Sequence, residues 1–291
     1  DRPLYENGWV FTLDNLGEIL SSSKIGSIAI TTGLFALFSV IIAEVVGIGA
    51  ALLIGRTDVP GRKVMGDILM WPLYLSHLIF ALGWVVMYGP SGFITQFIAQ
   101  SPGSEPLNLY SLAGMSLVAG ISQAPLAYLY CLYGAVRSVD PTLEAAARTV
   151  GAGPMQVLMK VTLPLMVPSI ITSTALNLVI AVETLSIPLF LATPARIETL
   201  STFLYEEGIA ASDPNHGIVA GSSILLMVLV GSALAIQRIL LSQSHRFETV
   251  KGKGSRPMTL SLGKLRWPLA ALCAAFLFAF VLIPIFGIVL R

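Results

Sequence analysis

The chain has 291 residues, of which 55% are hydrophobic and only 11% are charged, whereas an average soluble domain carries about 25% charged residues. A lipid bilayer is therefore its expected solvent. The net charge of +1 argues against a nucleic-acid-binding protein, which normally presents a dense basic surface. Cys131 and Cys273 lie in apolar stretches without His or acidic residues at metal-ligand spacing, which argues against a disulfide framework or a zinc site.

Six segments are long and apolar enough to cross a bilayer, which takes about 20 residues of helix. They lie at residues 26–54, 66–88, 109–136, 165–192, 217–241 and 267–290. The sequence therefore predicts an all-α fold, a polytopic membrane helical bundle with six spans.

The distribution of Lys and Arg predicts the orientation, because short positively charged loops stay in the cytoplasm. The loops rich in Lys and Arg are 55–65, 137–164 and 242–266. The alternate loops, which are acidic or lack cations, are 1–25, 89–108 and 193–216. We expect 1–25 to be an extracellular or periplasmic segment, 26–241 to form a core of five spans, and 242–266 to be a flexible, basic cytoplasmic linker.

Loop 137–164 differs from the others because its sequence predicts two short helices. Asp140 and Pro141 are typical of a helix start, with an acceptor at the cap and proline at the first helical position. Glu144 favours the positive end of the helix dipole. An apolar stripe follows at helical spacing, formed by Leu143, Ala147 and Val150.

Glycine and proline divide the rest of this loop. Gly151 is predicted to end the first helix. Gly153 and Pro154 should start a second helix, which runs to about Val161 and stops before Pro164 introduces the fourth membrane segment.

The stretch Glu144-Ala-Ala-Ala-Arg-Thr-Val-Gly151, followed by Val161-Thr-Leu163-Pro164, resembles the "EAA" loop of binding-protein-dependent ABC importer permeases. The resemblance implies the type I permease fold and a coupling helix that sits in a groove of an ATPase subunit. The residues expected to form this ATPase-coupling loop are Asp140, Pro141, Leu143, Glu144, Ala145, Ala146, Ala147, Gly151, Val161, Leu163 and Pro164.

The acidic residue of this loop departs from the family pattern. Six positions before Gly151 stands Ala145, where the family usually has its glutamate, and Ala146 and Ala147 are the paired alanines. Glu144 lies one place early. The fold of the loop should survive this shift, but a salt bridge from Glu144 to the ATPase is not carried over.

A weaker resemblance covers most of the remaining chain. The run from Glu183 to Pro188, the stretch after Pro194 and the linker residues 249–257 are similar to ferric-iron-type permeases, in which two permease halves are fused. The resemblance implies that 26–241 is most of a first permease half, and that 267–291 is the first span of a second half. We also expect an upstream segment, since the chain begins on the outer side.

Inserting an ionisable side chain at mid-bilayer costs about 2.5 to 3.5 kcal/mol. Each such residue is therefore expected to have a structural or a functional role. Glu44 lies in the first span, and Glu183 lies in the fourth, before Pro188. Residues that could line a translocation path are Asn177, Glu183, Thr184, Ser186 and Glu44. For Glu44 a structural role is favoured, in which it faces the bundle interior or pairs with a neighbouring helix. For Glu183 a structural, hydrogen-bonded role is the alternative to the path.

No G-x-x-x-x-G-K-[ST] phosphate loop occurs, so we expect ATP hydrolysis on separate subunits. The chain itself is expected to be no enzyme and to bind no cofactor. The resemblance implies a multi-pass permease of a bacterial inner membrane, with two cytoplasmic ATP-binding subunits and an extracellular solute-binding protein as partners.

Ferric iron is the first expectation for the solute. Polyamine, thiamine, sulfate and phosphonate importers have similar permeases. An ion-coupled secondary transporter is the alternative from a different class. Glu44 and Glu183 could carry its ion coupling, but it would leave the loop unexplained.

Overall fold

The computed structural model describes residues 23–99, 108–136, 146–212, 216–244 and 261–289. Six helices in these ranges are long and apolar enough to cross a membrane. We call them the first to sixth spans; they are Ser23–Arg56, His77–Ile98, Leu112–Gly134, Leu158–Glu183, His216–Ile239 and Gly263–Val289. They confirm the predicted all-α polytopic bundle. The predicted outer segment 1–25 lies outside the described residues up to position 22, and so do positions 245–260 of the basic linker.

Shorter helices lie beside the spans. Those outside them include Arg62–Met70, Pro154–Val157, Ser186–Leu191 and Leu200–Tyr205. The second span consists of two helices, His77–Tyr88 and Phe93–Ala99. The third span runs as an α-helix over Leu112–Cys131 and continues in a π-helical turn.

The second predicted segment, 66–88, is not one continuous helix. Arg62–Met70 is followed by a 3-10 turn, Trp71–Tyr74, and a new helix begins at His77. Pro72 lies in that turn, and proline has no amide hydrogen with which to continue an α-helical ladder. The prediction of an unbroken helix was wrong here because a long apolar run does not show where its helix is interrupted.

The third span forms the centre of the bundle and is the most buried of the six. It packs along the first span, where two glycines allow close approach. A Cβ atom at Gly120 would lie 2.6 Å from Cβ of Ile42, and one at Gly47 would lie 2.5 Å from Cβ of Ala127. Small residues at such crossings are a usual means of packing membrane helices.

The sixth span packs against the second. Gly83 lies directly against the backbone carbonyl of Pro284. The hydroxyl of Tyr88 donates to the carbonyl of Ala279 at 2.6 Å, and the rings of Trp84 and Phe280 stack with centroids 5.8 Å apart. The described part of segment 267–291 therefore lies on the core formed by the earlier spans, while its assignment to a second permease half remains a prediction.

Asp58 caps the start of the sixth span. One carboxylate oxygen accepts the amide of Leu262 at 2.9 Å, and the other accepts the hydroxyl of Ser261 at 3.3 Å. The hydrogen bond from the Leu262 amide is the main reason that the pKa of Asp58 lies below its usual value. This contact ties the loop after the first span to the beginning of the last.

Candidate coupling loop and membrane polar cluster

The described part of the loop begins with a short helix that ends at a left-handed glycine. Residues 146–149 are helical, and Gly151 has a φ of 87°. The amide of Ala152 donates to the carbonyl of Ala147 at 3.1 Å, and the amide of Gly151 donates to the carbonyl of Arg148 at 3.0 Å. These two bonds form a Schellman motif. The predicted helix end at Gly151 is confirmed.

The second helix begins where the sequence predicts. The amide of Gly153 donates to the side-chain oxygen of Gln156 at 3.2 Å, and Pro154–Val157 forms the first turn. The prediction that Gly153 and Pro154 start the second helix is therefore confirmed.

The predicted end of that second helix near Val161 is wrong. Pro154–Val157 continues through a π-helical turn, Leu158–Thr162, into Leu163–Glu183 without interruption. In a regular α-helix the ring of Pro164 would collide with the carbonyl four residues earlier. A wider turn immediately before the proline changes that spacing, so the loop helix and the fourth span are one element.

The turn of the loop presents apolar side chains away from the rest of the chain. Val150 in this turn is 83% exposed, and Met159, in the π-helical turn Leu158–Thr162 that follows, is 55% exposed. Ala146 and Gly151 are also exposed, and nothing lies within 4 Å of a Cβ built on Gly151. Val161, Leu163 and Pro164 are half-buried at the base. The loop residues that fall outside the described part of the chain are Asp140, Pro141, Leu143, Glu144 and Ala145.

Glu44 is the centre of a buried polar cluster between the first and fourth spans. It is 8% exposed. Its Oε2 accepts the hydroxyl of Ser173 at 3.0 Å, and its Oε1 accepts Nδ2 of Asn177 at 3.1 Å. Ser173 and Asn177 are fully buried and lie four residues apart, on one face of the fourth span. Both bonds therefore join the fourth span to the first.

The structure divides the predicted path residues into two groups. Asn177 and Glu44 meet in the buried cluster. Glu183 is exposed at the end of the fourth span, roughly 9 Å further along the helix at 1.5 Å per residue. Thr184 and Ser186 lie just beyond it, at the break before the next helix. The buried cluster therefore includes two of the five residues, and their role in a translocation path remains a prediction.

The break after Glu183 has a local cause. The ring of Pro188 excludes the carbonyl of the residue four positions earlier, which is Thr184. That carbonyl accepts instead the hydroxyl of Ser201 at 2.9 Å. The freed backbone group is thereby satisfied by the helix Leu200–Tyr205.

Sequence reasoning missed Ser173, although its spacing from Asn177 was a usable signal. It also missed Gln123, which is buried in the third span. Neither polar atom of the Gln123 side chain has a hydrogen-bond partner among the described residues. Buried amides are normally paired, so Gln123 is an exception in the bundle interior.

Comparison with known proteins identifies the family. Residues 28–244 match the family described as the binding-protein-dependent transport system inner membrane component. The chain belongs to this family. Among solved structures, a bacterial ABC transporter involved in the import of the acidic polysaccharide alginate has a chain with a TM-score of 0.67 and 20% identity, covering 84% of this chain and 87% of that one. The likeness confirms the type I ABC importer permease fold.

Curated relatives carry different substrate names. The putative ferric transport system permease protein FbpB 1 of Haemophilus influenzae is 26% identical over 87% of this chain. The molybdenum transport system permease protein ModB of Escherichia coli is 34% identical over 54% of it. The chain spans 39% of the length of the first relative and 63% of the second.

Proposed function

We propose that this chain forms part of the membrane pathway of an ATP-driven importer. We further propose that loop 140–164 docks on a separate ATPase and transmits its conformational change to the spans. The observation that carries the proposal is the exposed turn at 146–152, which leads into the fourth span through one continuous helix. Its Ala and Gly residues permit close approach of a partner surface, and Val150 and Met159 supply apolar contact area.

The mechanism that we propose is the one that the family resemblance implies. Closure of two ATPase subunits on ATP would bring their attached loops together, and the transmembrane bundles would change from inward-open to outward-open. An external binding protein would then release its solute into the pathway. Because Glu144 stands one place before the family's glutamate, docking in this chain rests on the small and apolar residues of the turn rather than on a salt bridge.

Ferric iron is the solute that we propose first. The support is the similarity to a protein named as a putative ferric transport permease, together with the motif from Glu183 to Pro188. Polyamine, thiamine, sulfate, phosphonate and, from the second relative, molybdenum transport are alternatives. Uptake of ferric iron, polyamine, thiamine, sulfate, phosphonate and molybdate by proteoliposomes that contain the co-encoded binding protein and ATPase would distinguish them.

The coupling proposal is tested by one substitution in the turn. Val150→Asp should leave the full-length protein inserted but reduce co-purification of its ATPase. The matched control is Ile209→Asp, which changes a side chain of similar exposure, 77%, in the loop predicted to lie on the opposite side. Equal co-purification of the ATPase by both variants would contradict the assignment of the loop.

The same proteoliposomes test the alternative class. The buried carboxyl group of Glu44 is the observation that would suit an ion-coupled transporter. Uptake that continues after ATP depletion but stops when an ionophore collapses the ion gradient would favour that class. Uptake that requires ATP and is indifferent to the ionophore supports the importer.

A further inference from the structure

Two apolar grooves run along opposite sides of the sixth span. The larger has a volume of about 600 Å³ and lies between the helix Arg62–Met70 and the sixth span. The smaller, of about 430 Å³, lies between the first and sixth spans. Residues lining the larger groove include Val64, Met65, Ile68, Ala274, Ala275 and Phe278.

The shape and chemistry of the grooves come from small and aliphatic residues. Ala274 and Ala275 leave the larger groove open on the sixth span. Gly49 and Ala50 do the same for the smaller groove on the first span. The smaller groove is bounded by two spans and therefore lies at the depth of the hydrocarbon core, where acyl chains are the surrounding solvent. The larger groove is bounded by the sixth span on one side and by the helix Arg62–Met70 on the other.

Three cations lie on the two segments that Asp58 joins: Lys63 is five residues after Asp58, and Lys264 and Arg266 are at the start of the sixth span. Lys63, Lys264 and Arg266 are exposed, and none of them forms a salt bridge within the described ranges of the chain. The guanidinium of Arg266 lies 5.8 Å from the ring centre of Trp267, which is itself 62% exposed. A tryptophan beside cations at the end of a span is typical of the level of lipid headgroups.

The neighbouring acid offsets only part of this positive charge, since one carboxylate, Asp58, faces three cations. The pKa of Asp58 is lowered mainly by the hydrogen bond from the Leu262 amide and only last by the charge of Arg266, and its two oxygens are occupied by Leu262 and Ser261. Arg62 donates to the carbonyl of Thr57 at 2.9 Å and is already engaged.

We propose that this region is a binding site for an anionic phospholipid. Its acyl chains lie in the two grooves beside the sixth span, and its phosphate contacts Lys63, Lys264 and Arg266. The positive loops place this end of the bundle at the cytoplasmic leaflet, whose anionic lipids attract basic residues next to membrane spans. The proposal does not depend on which solute the protein carries, nor on its energy source.

The test uses the full-length protein in detergent micelles doped with either phosphatidylglycerol or phosphatidylcholine, and native mass spectrometry counts the retained lipid. The wild-type protein should retain phosphatidylglycerol in preference. The triple variant Lys63→Gln, Lys264→Gln, Arg266→Gln should lose that preference, with an affinity reduced about fivefold for each removed charge. Arg238→Gln, at an exposed cation on the fifth span, is the matched control and should change nothing.

A second variant tests the grooves. Ala275→Phe places a ring in the larger groove from an exposed position and should reduce retention of both lipids, whereas the charge variants affect phosphatidylglycerol alone. A single, monodisperse species in size-exclusion chromatography confirms that each variant is folded. Three results would overturn the proposal. The wild-type protein could retain the two lipids equally, or retain no lipid at all because protein covers the grooves. The triple variant could also keep the selectivity of the wild type.

Discussion

The buried cluster around Glu44 makes a prediction about how the first and fourth spans hold together. Glu44→Ala removes the acceptor of two hydrogen bonds that cross between these spans, at 3.0 and 3.1 Å. Asn177 would lose the hydrogen-bond acceptor of its Nδ2 atom. Ser173 would keep a bond to the carbonyl of Ile170 at 3.1 Å. We therefore expect lower stability, caused mainly by the unpaired amide.

The size of the effect follows from the two bonds. Hydrogen bonds between membrane helices average about 0.6 kcal/mol and reach about 1.7 kcal/mol. The loss of both should therefore lower the free energy of unfolding by about 1 to 3 kcal/mol. Glu44→Gln is the matched control, because its carbonyl oxygen can still accept from Asn177 and its amide can donate to the Ser173 oxygen. Its effect should be below about 0.5 kcal/mol.

Unfolding of the purified protein in increasing dodecyl sulfate, followed by circular dichroism, measures these differences. A double-mutant cycle of Glu44→Ala with Asn177→Ala should give a coupling free energy of about 0.6 to 1.7 kcal/mol. A coupling near zero, or a Glu44→Gln protein as unstable as Glu44→Ala, would refute the reasoning. A Glu44→Gln protein that is stable but does not transport would instead place Glu44 on the translocation path.

Three further predictions concern glycines and one capping acid. Gly151→Ala should cost about 1 to 2 kcal/mol locally, because its φ of 87° is left-handed, and should weaken ATPase co-purification, whereas Gly153→Ala should not. Gly83→Ala should destabilise by about 1 to 3 kcal/mol, because its Cβ would meet the backbone of the sixth span; Gly33→Ala, which meets nothing within 4 Å, is its control in the same unfolding assay. The pKa of Asp58 is lowered in the folded protein. Its contribution to stability is therefore full above its unfolded pKa of about 3.9 and is lost as the pH falls through the folded pKa. Thermal melts from about pH 6 to pH 3 should show this loss in the wild type and not in Asp58→Asn.

Local signals accounted for most of the architecture. Apolar length predicted six spans, since a bilayer sets the minimum number of helical residues. Gly151 predicted the end of the loop helix, because few other residues adopt its backbone conformation readily. Proline did not predict a helix break equally well at every position, because the preceding turn decides whether the helix continues. Pro72 lies in a break, whereas Pro164 lies within a continuous helix behind a π-helical turn.

The polar cluster could not be predicted from the sequence alone. Glu44 is separated by 129 residues from Ser173 and by 133 from Asn177. The spacing of Ser173 and Asn177 shows that they share a helix face, but a single sequence does not show which other helix that face meets. Glu183 illustrates the same limit, because its position near Asn177 along the chain does not show that it lies exposed at the end of the helix, outside the buried cluster.

The central position of the third span has a consequence for how the chain enters the membrane. It is the least apolar of the six spans, and Ser116, Ser122 and Gln123 are buried within it. Such a segment partitions weakly into lipid when it leaves the translocon alone. The glycine contacts with the first span offer it a protein surface instead, so we expect its insertion to require that the first span is already in the bilayer.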